Sequence, residues 1–337
     1  MAAHALDYDD LHMESTAHIS AVCVPAALAA GGRARAYLAG AGVMARLGTA
    51  LGWGHYSRGW HSTCTAGAPA AAVTAGIAMG LTGRSLATAI ALAIPAAGGV
   101  QGAFGTMAKP LQVGFAVSAG IRAARLAKAG AGADHGVVEE WMALVGGDPR
   151  SLDMSGPAVP GGLAIKVFPC CYALQRPIAA VADLKVNPAD ITAILVRTPA
   201  NTLQPLNRHR PATGLEGKFS LEYGVAAALL DSRVGFAAFT DAGVNRPDAR
   251  RLMGLVTIAA AEGGSGEGLL DGEFEVVIEA HGKTHSGTLK LPPGAPGRPP
   301  TEADLAAKVA DCCGSRAASV LGIDWVRAAP LLRESLD

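Results

Sequence analysis

The spacing of apolar and polar residues divides this chain near residue 157. From Ala21 to about Ala131, runs of Ala, Leu, Val and Ile separated by Gly-rich turns predict packed α-helices. The high alanine content of these runs predicts that the helices approach one another closely. No residue is charged between positions 85 and 108, but this run contains Pro95, Gln101 and several glycines. It therefore favours helices of a folded core over a membrane span.

Beyond residue 157 the pattern changes to a mixture of strands and helices. Residues 190–197 are strand-like, and residues 274–278 with 284–291 predict a β-hairpin that turns at 281–283. The segments that favour helix are 173–184, 219–230 and 247–255. A stiff, Pro-rich segment at 292–300 then leads to a further helix that Thr301 and Asp304 are placed to cap.

These patterns predict a mainly α fold, with a large all-helical domain and an inserted, smaller α+β domain. The predicted boundaries are 1–157 for the first part of the helical domain, 158–297 for the α+β domain and 298–337 for the C-terminal return to the helical domain. A cleft between two such domains is a common place for a small-molecule site.

Composition and charge exclude several classes of partner. Among 337 residues, 28 Lys and Arg balance 28 Asp and Glu, so no overall charge attracts nucleic acid or an anionic membrane. We expect neither as a partner. The N-terminal residues lack the basic and apolar regions of a secretory signal, and the cytoplasm is the expected compartment.

The cysteines and histidines do not have the spacing of a metal site. Four of the six cysteines form two adjacent pairs, at 170–171 and 312–313, and the nine histidines form no HExxH pattern. We therefore predict reduced thiols and no protein-bound metal.

Lys109 is the most informative charged residue. Between positions 66 and 121 only Arg84 and Lys109 carry charge. Removing an unpaired ammonium group from water costs several kcal/mol, so such a lysine usually lies beside an anion, for example a substrate. The alternative is a lysine whose stem packs on apolar surface while its ammonium reaches water. Lys109 alone leaves both interpretations open.

Polar motifs interrupt the apolar background in a recognisable order. They are HALDYDD at 4–10 followed by His18, GWHST at 59–63, GTMAKPL at 105–111, KVFPCC at 166–171, KFSL at 218–221 with Tyr223, and Asp241 with Arg246-Pro247. Together they resemble the MmgE/PrpD family, which includes 2-methylcitrate dehydratase, cis-aconitate decarboxylase and iminodisuccinate epimerase. The resemblance covers essentially the whole chain, and the family's helical domain and α+β lid agree with the fold predicted above.

The resemblance also implies which residues form the site. His61 and His18 become the acid/base candidates, and Asp7 an orienting group that is equally compatible with a helix cap. Lys109 and Lys166 become the carboxylate-binding residues. Arg58 either binds an anion or lies in solvent, and Lys218 and Tyr223 either act in the site or simply pack near a helix start.

The expected function is that of a cofactor-independent, dehydratase-like lyase that abstracts a proton next to a carboxylate of a small di- or tricarboxylic acid. The alternatives are an epimerase of a dicarboxylate such as iminodisuccinate, and a truncated inactive paralogue. Leu203 occupies a position where the decarboxylase branch would have tyrosine, which argues against that branch. Family members have a helical segment before the 4–10 motif, so the chain is expected to lack it. The family also implies a homodimer.

Overall fold

The computed structural model describes residues 1–261 and 268–334, and most of its secondary structure is helical. The helices of the first half are α1 (Ala2–Ala5), α2 (Ile19–Ala29), α3 (Ala34–Ser57), α4 (Ser62–Thr65), α5 (Gly67–Ala78), α6 (Gly83–Ala93), α7 (Ala108–Lys128) and α8 (Val137–Leu144). Those of the second half are α9 (Gln175–Ala182), α10 (Ala200–Leu203), α11 (Gly214–Gly217), α12 (Leu221–Leu230), α13 (Asp241–Val244), α14 (Pro247–Leu255), α15 (Glu302–Cys313), α16 (Ala317–Val320) and α17 (Trp325–Glu334).

Small residues allow the central helices of the first half to pack closely. A Cβ atom at Gly120 in α7 would lie 2.4 Å from the backbone oxygen of Ala68 in α5. A Cβ at Gly40 in α3 would lie 1.8 Å from Oγ1 of Thr74, also in α5. Both distances are too short for a side chain, so the predicted close approach of the helices is confirmed.

A short ribbon joins the N-terminal motif to the middle of the chain. Strand β1 (Asp10–Leu11) pairs antiparallel with β2 (Ala164–Ile165), with Asp10 opposite Ile165. The residues just before β1 and just after β2 therefore lie side by side, although more than 150 positions separate them. This pairing brings the segment 7–9 next to Lys166.

The larger sheet has the strand order β4-β3-β5-β6. Its strands are β3 (Ile191–Thr198), β4 (Val256–Ala260), β5 (Phe274–Ala280) and β6 (Lys283–Leu289). Strands β3 and β4 are parallel, and the other pairs are antiparallel. The predicted hairpin is confirmed: β5 and β6 are joined at His281 and Gly282, whose φ angles of 51° and 69° are typical of a tight hairpin turn.

Two hydrophobic cores organise these elements. One lies among the helices of the first half and includes Met44 and Val113. The other lies between the four-stranded sheet and helices α9, α12 and α14, and it also receives Leu11 and Phe104 from the first half. The site motifs thus lie where the cores meet. That the second core acts as a lid stays a prediction.

The C-terminal segment returns to the first half. The ring of Trp325 in α17 lies 5.8 Å from that of Tyr37 in α3. Within residues 1–261 and 268–334, no helix combines the length and the apolar character that crossing a membrane requires.

Candidate active site

The segment 7–9 holds two buried carboxylates. Asp7 and Asp9 lie just before β1, and their side chains are each only 5% exposed. Asp7 has a φ of 53°, a left-handed conformation that aspartate tolerates better than most residues. This turn lets consecutive backbone and side-chain oxygens of the segment face the same group of lysines.

Three buried lysines surround these carboxylates. Lys109 Nζ, at the start of α7, donates to the carboxylate of Asp7. Lys166 Nζ, just after β2, donates to the backbone oxygen of Asp7 over 3.2 Å and to Oδ1 of Asp9 over 3.3 Å. Lys218 Nζ donates to the backbone oxygen of Leu6 over 2.7 Å. Three ammonium groups against two carboxylates leave one net positive charge in this buried cluster.

The pKa values of these groups follow from burial and pairing. Burial alone would raise the pKa of Asp7, but the ammonium groups of Lys109 and Lys166 lower it to about 2. Burial opposes the charged form of Lys166, yet Asp9 and Asp7 outweigh burial and raise its pKa. The pKa of Lys218 is lowered, chiefly by burial. The paired carboxylates are therefore ionised at neutral pH.

Three histidine rings pack beside this cluster. His4 Nδ1 lies 2.5 Å from Oδ2 of Asp9, and the ring of His4 lies 4.8 Å from that of His18 and 5.6 Å from that of His61. His18 Nδ1 lies 2.6 Å from the backbone oxygen of Asp10. Burial lowers the pKa of His18 to about 4 and that of His61 well below its usual value. All three pKa values are lowered, so these histidines are neutral at pH 7.

His61 has one engaged and one free ring nitrogen. His61 directly precedes α4, and its backbone N–H donates to the backbone oxygen of Gly99. The Nδ1 atom lies 2.8 Å from Nε2 of Gln112 and 3.3 Å from Sγ of Cys64. Among the described residues, Nε2 of His61 has no hydrogen-bond partner, although it is buried. Buried nitrogens without partners are uncommon, and a ligand is one explanation for such an atom.

The groups converge on a narrow cavity that residues from both parts of the chain line. Its volume of about 20 Å³ is enough for about one water molecule. The lining residues are Leu11, Thr16, His18, Tyr56, His61, Phe104, Lys109, Lys166, Cys171, Tyr172, Phe219 and Leu269. A small polycarboxylate needs a pocket several times larger, so the walls must separate before such a molecule can bind.

The structure does not place Arg58 in this cavity. Arg58 is exposed, its guanidinium lies against Gly146, and it is not one of the lining residues. Gly59, with a φ of 93°, turns the chain between Arg58 and His61, so the two side chains separate. Arg58 is therefore removed from the candidate set. Leu203 does not line the cavity either, but packs on the second core.

The sequence interpretation missed several residues of the site. His4 was visible only as part of a motif, and its contact with Asp9 depends on the fold. Gln112 carries no charge and follows Lys109 by three positions, so one turn of α7 brings it beside His61. Tyr172 lines the cavity, is 1% exposed, and its hydroxyl has no partner among the described residues. The only signal for Tyr172 in the sequence is its position directly after the 166–171 motif.

Helix α15 supports the site from the C-terminal side. Lys308 Nζ donates to the backbone oxygen of Lys166 over 3.0 Å and lies 4.7 Å from the centre of the Tyr8 ring. Burial lowers the pKa of Lys308 to about 8. The C-terminal return thus fixes the backbone of a site lysine.

One group of side chains has the composition of a metal site. Ligand atoms of His4, Asp9 and His18 lie within 4.8 Å of one another. However, Nδ1 of both histidines already faces oxygen acceptors, and the ammonium of Lys166 lies 3.3 Å from the Asp9 carboxylate, where it would repel a cation. The donor set therefore fits a hydrogen-bonded network better than a metal centre.

Two protein-family models match this chain. The model of the MmgE/PrpD N-terminal domain matches residues 1–145, and that of the MmgE/PrpD C-terminal domain matches residues 168–321. Because the first match begins at residue 1, the expectation of a missing N-terminal segment is not borne out.

Curated relatives are similar at low identity. Cis-aconitate decarboxylase from Aspergillus terreus is 28% identical over 303 residues, which cover 77% of this chain and 61% of the relative. Cis-aconitate decarboxylase from Homo sapiens is 26% identical over 220 residues, covering 59% of this chain and 44% of the relative. The chain thus spans less than two thirds of the length of either relative.

Proposed function

Because the chain belongs to the MmgE/PrpD family, we propose that it is a cofactor-independent lyase that acts on a small tricarboxylic acid next to a carboxylate. One observation carries this proposal: two lysines and two neutral histidines, Lys109, Lys166, His18 and His61, line a single narrow cavity. The lysines supply charge for substrate carboxylates, and a neutral histidine can take a proton from carbon.

In a dehydration, a histidine takes the proton from the carbon next to a carboxylate. The electron pair of the C–H bond forms the new C=C bond, and hydroxide leaves with the C–O electron pair and gains a proton to become water. In a decarboxylation, the C–C bond breaks, its electron pair stays on the carbon while CO2 leaves, and an N–H group of the site supplies a proton to that carbon. Both reactions pass through negative charge that the same lysines stabilise.

Dehydration is the leading expectation from the sequence, although the motifs themselves do not decide between the reactions, and the names of the relatives favour decarboxylation as the second candidate. The two are separated by incubating the purified protein with cis-aconitate and, separately, with hydroxytricarboxylates such as 2-methylcitrate. Release of CO2 identifies a decarboxylase, whereas formation of a conjugated double bond without CO2 identifies a dehydratase. Incorporation of deuterium next to a carboxylate, without loss of water or CO2, identifies an epimerase.

Matched variants connect any activity to the cavity. Lys109→Ala should mainly raise KM for a polyanionic substrate, whereas the exposed Lys128→Ala should behave as the wild type. If none of the three reactions occurs and no tricarboxylate binds, the proposed function is wrong. Self-association as a homodimer belongs to the same proposal, and analytical ultracentrifugation tests it.

A further inference from the structure

The orientation of the Gln112 side chain is fixed by a single residue. The backbone N–H of Val100 donates to Oε1 of Gln112 over 3.0 Å, and Nε2 of Gln112 donates to the backbone oxygen of Val100 over 3.2 Å. A backbone N–H can only donate and a backbone carbonyl can only accept. Exchanging the amide oxygen and nitrogen would therefore break both bonds.

With the amide oriented in this way, Nδ1 of His61 faces hydrogen-bond donors. Nε2 of Gln112, which has no lone pair to offer, lies 2.8 Å from Nδ1 of His61. The second neighbour is Sγ of Cys64 at 3.3 Å, a thiol that keeps its proton because burial raises its pKa. A neutral imidazole has one N–H, and Nδ1 must accept here. The proton of His61 is therefore on Nε2.

His18 has the opposite arrangement. Its Nδ1 faces two acceptors, the backbone oxygen of Asp10 at 2.6 Å and Oδ2 of Asp9 at 3.2 Å. The proton of neutral His18 is therefore on Nδ1, which leaves the lone pair on Nε2. Both rings line the same cavity. One histidine thus offers an N–H donor and the other a basic nitrogen.

We propose that Gln112 is a positioning residue that holds His61 in the Nε2–H tautomer, so that His61 donates a hydrogen bond to a substrate carboxylate oxygen while His18 is the base. The substrate contact rests on the proposed function, whereas the tautomer does not. A neutral imidazole keeps its proton throughout and stabilises the charge that develops on the carboxylate. This division of roles also accounts for the buried Nε2 of His61, which has no partner among the described residues.

The first test is nuclear magnetic resonance of protein labelled with ¹⁵N-histidine, at neutral pH and without ligand. In the wild type, His61 should show a protonated Nε2 and an unprotonated Nδ1, and His18 the reverse; His61→Gln and His18→Gln assign the signals. Gln112→Glu places a carboxylate, which only accepts, beside Nδ1 and should reverse the tautomer of His61. A protonated Nδ1 in wild-type His61 would overturn the proposal.

The second test is turnover of the acid that the wild type converts. Gln112→Glu should lower kcat by up to about 10⁴-fold, the loss seen when a catalytic histidine is held in the wrong tautomer. The matched control is Gln204→Glu, which makes the same substitution at an exposed glutamine that does not line the cavity. This variant should behave as the wild type. Gln112→Leu, which removes the amide without adding charge, should give a smaller loss. Full activity of Gln112→Glu with a reversed tautomer would refute the catalytic part.

The two proposals can fail separately. If the wild type has the expected tautomers but neither binds nor converts any tricarboxylate, the proposed function is wrong and the substrate contact of His61 is wrong with it. If the wild type is active but His61 carries its proton on Nδ1, the role of Gln112 is wrong while the proposed function stands. The wild-type spectrum decides this even if Gln112→Glu does not fold.

Discussion

Replacing Lys109 by methionine tests the buried charge pair directly. In the wild type the ammonium of Lys109 donates to Asp7, and both side chains are at most 5% exposed. The variant leaves the carboxylate of Asp7 in a nearly dry site, with Lys166 Nζ 3.9 Å away. Removing one partner of a buried pair typically costs about 3–5 kcal/mol, so we expect a loss of unfolding free energy in this range.

The pH dependence of stability gives a second estimate, the contribution of the Asp7 carboxylate to the free energy of unfolding. A carboxylate whose pKa falls from 3.8 to about 2 on folding adds about 2 kcal/mol above pH 4. This contribution is lost as the pH falls from about 4 towards 2, because the folded state then binds fewer protons than the unfolded state. Without Lys109 the pKa of Asp7 rises, and this part of the acid sensitivity should shrink.

The assay is urea unfolding followed by circular dichroism, at pH 7 and at several acid pH values. Lys128→Met, at an exposed lysine, is the control and should change stability by no more than about 0.5 kcal/mol. The double variant Asp7→Asn/Lys109→Met removes both charges and should recover most of the loss. A loss below about 1 kcal/mol for Lys109→Met, or a double variant no more stable than the single one, would refute the reasoning.

Further predictions concern the histidines, a helix contact and metal chelation. His61→Ala should abolish turnover with little change in melting temperature; a large loss of stability with full activity per folded molecule would contradict its role. Since the pKa of His18 is about 4 when folded, stability should fall as the pH drops from about 6.5 to about 4, and calorimetry should find a weaker fall in His18→Gln. Gly120→Ala places a Cβ 2.4 Å from backbone and should lower stability by about 1–3 kcal/mol, whereas Gly132→Ala, with open space, should not. A chelator should leave activity unchanged, and inhibition reversed by one divalent ion would oppose the metal-free assignment.

Local signals in the sequence predict much of the second half. Helix α14 has the predicted bounds, Pro247–Leu255, since a proline starts it and apolar residues follow at helical spacing. The capping box of Thr301 and Asp304 is also present. Strand β4 was not predicted, because it follows α14 without a break and is defined by its parallel pairing with β3, nearly sixty residues earlier in the chain. Such non-local pairing leaves little trace in a local pattern.

The lysines and the motif histidines of the site were predictable from the sequence, whereas Gln112 was not. Lys109 stood out because it is a lone charge in an apolar run, and the structure places it beside Asp7. Gln112 has no such signal, since its importance depends on the backbone of Val100 and the ring of His61. Arg58 shows the opposite case, because it is charged and adjacent to a site motif but does not line the cavity. The left-handed Gly59 lies between Arg58 and His61, so closeness in the sequence does not bring the two side chains together.

The small volume of the cavity and the paired lysines together constrain how a substrate enters. His18, His61 and Lys109 come from the first half of the chain, whereas Lys166 and Tyr172 come from the second. If the chain acts on a tricarboxylate, as proposed, the acid brings three negative charges to a cluster with one net positive charge, and its carboxylates compete with Asp7 and Asp9 for the same ammonium groups. Entry therefore requires that the two walls separate and that lysine N–H groups be redistributed. Because Lys109 and Lys166 approach from opposite halves, a bound polyanion would in turn hold the walls together, which couples recognition of the acid to closure around it.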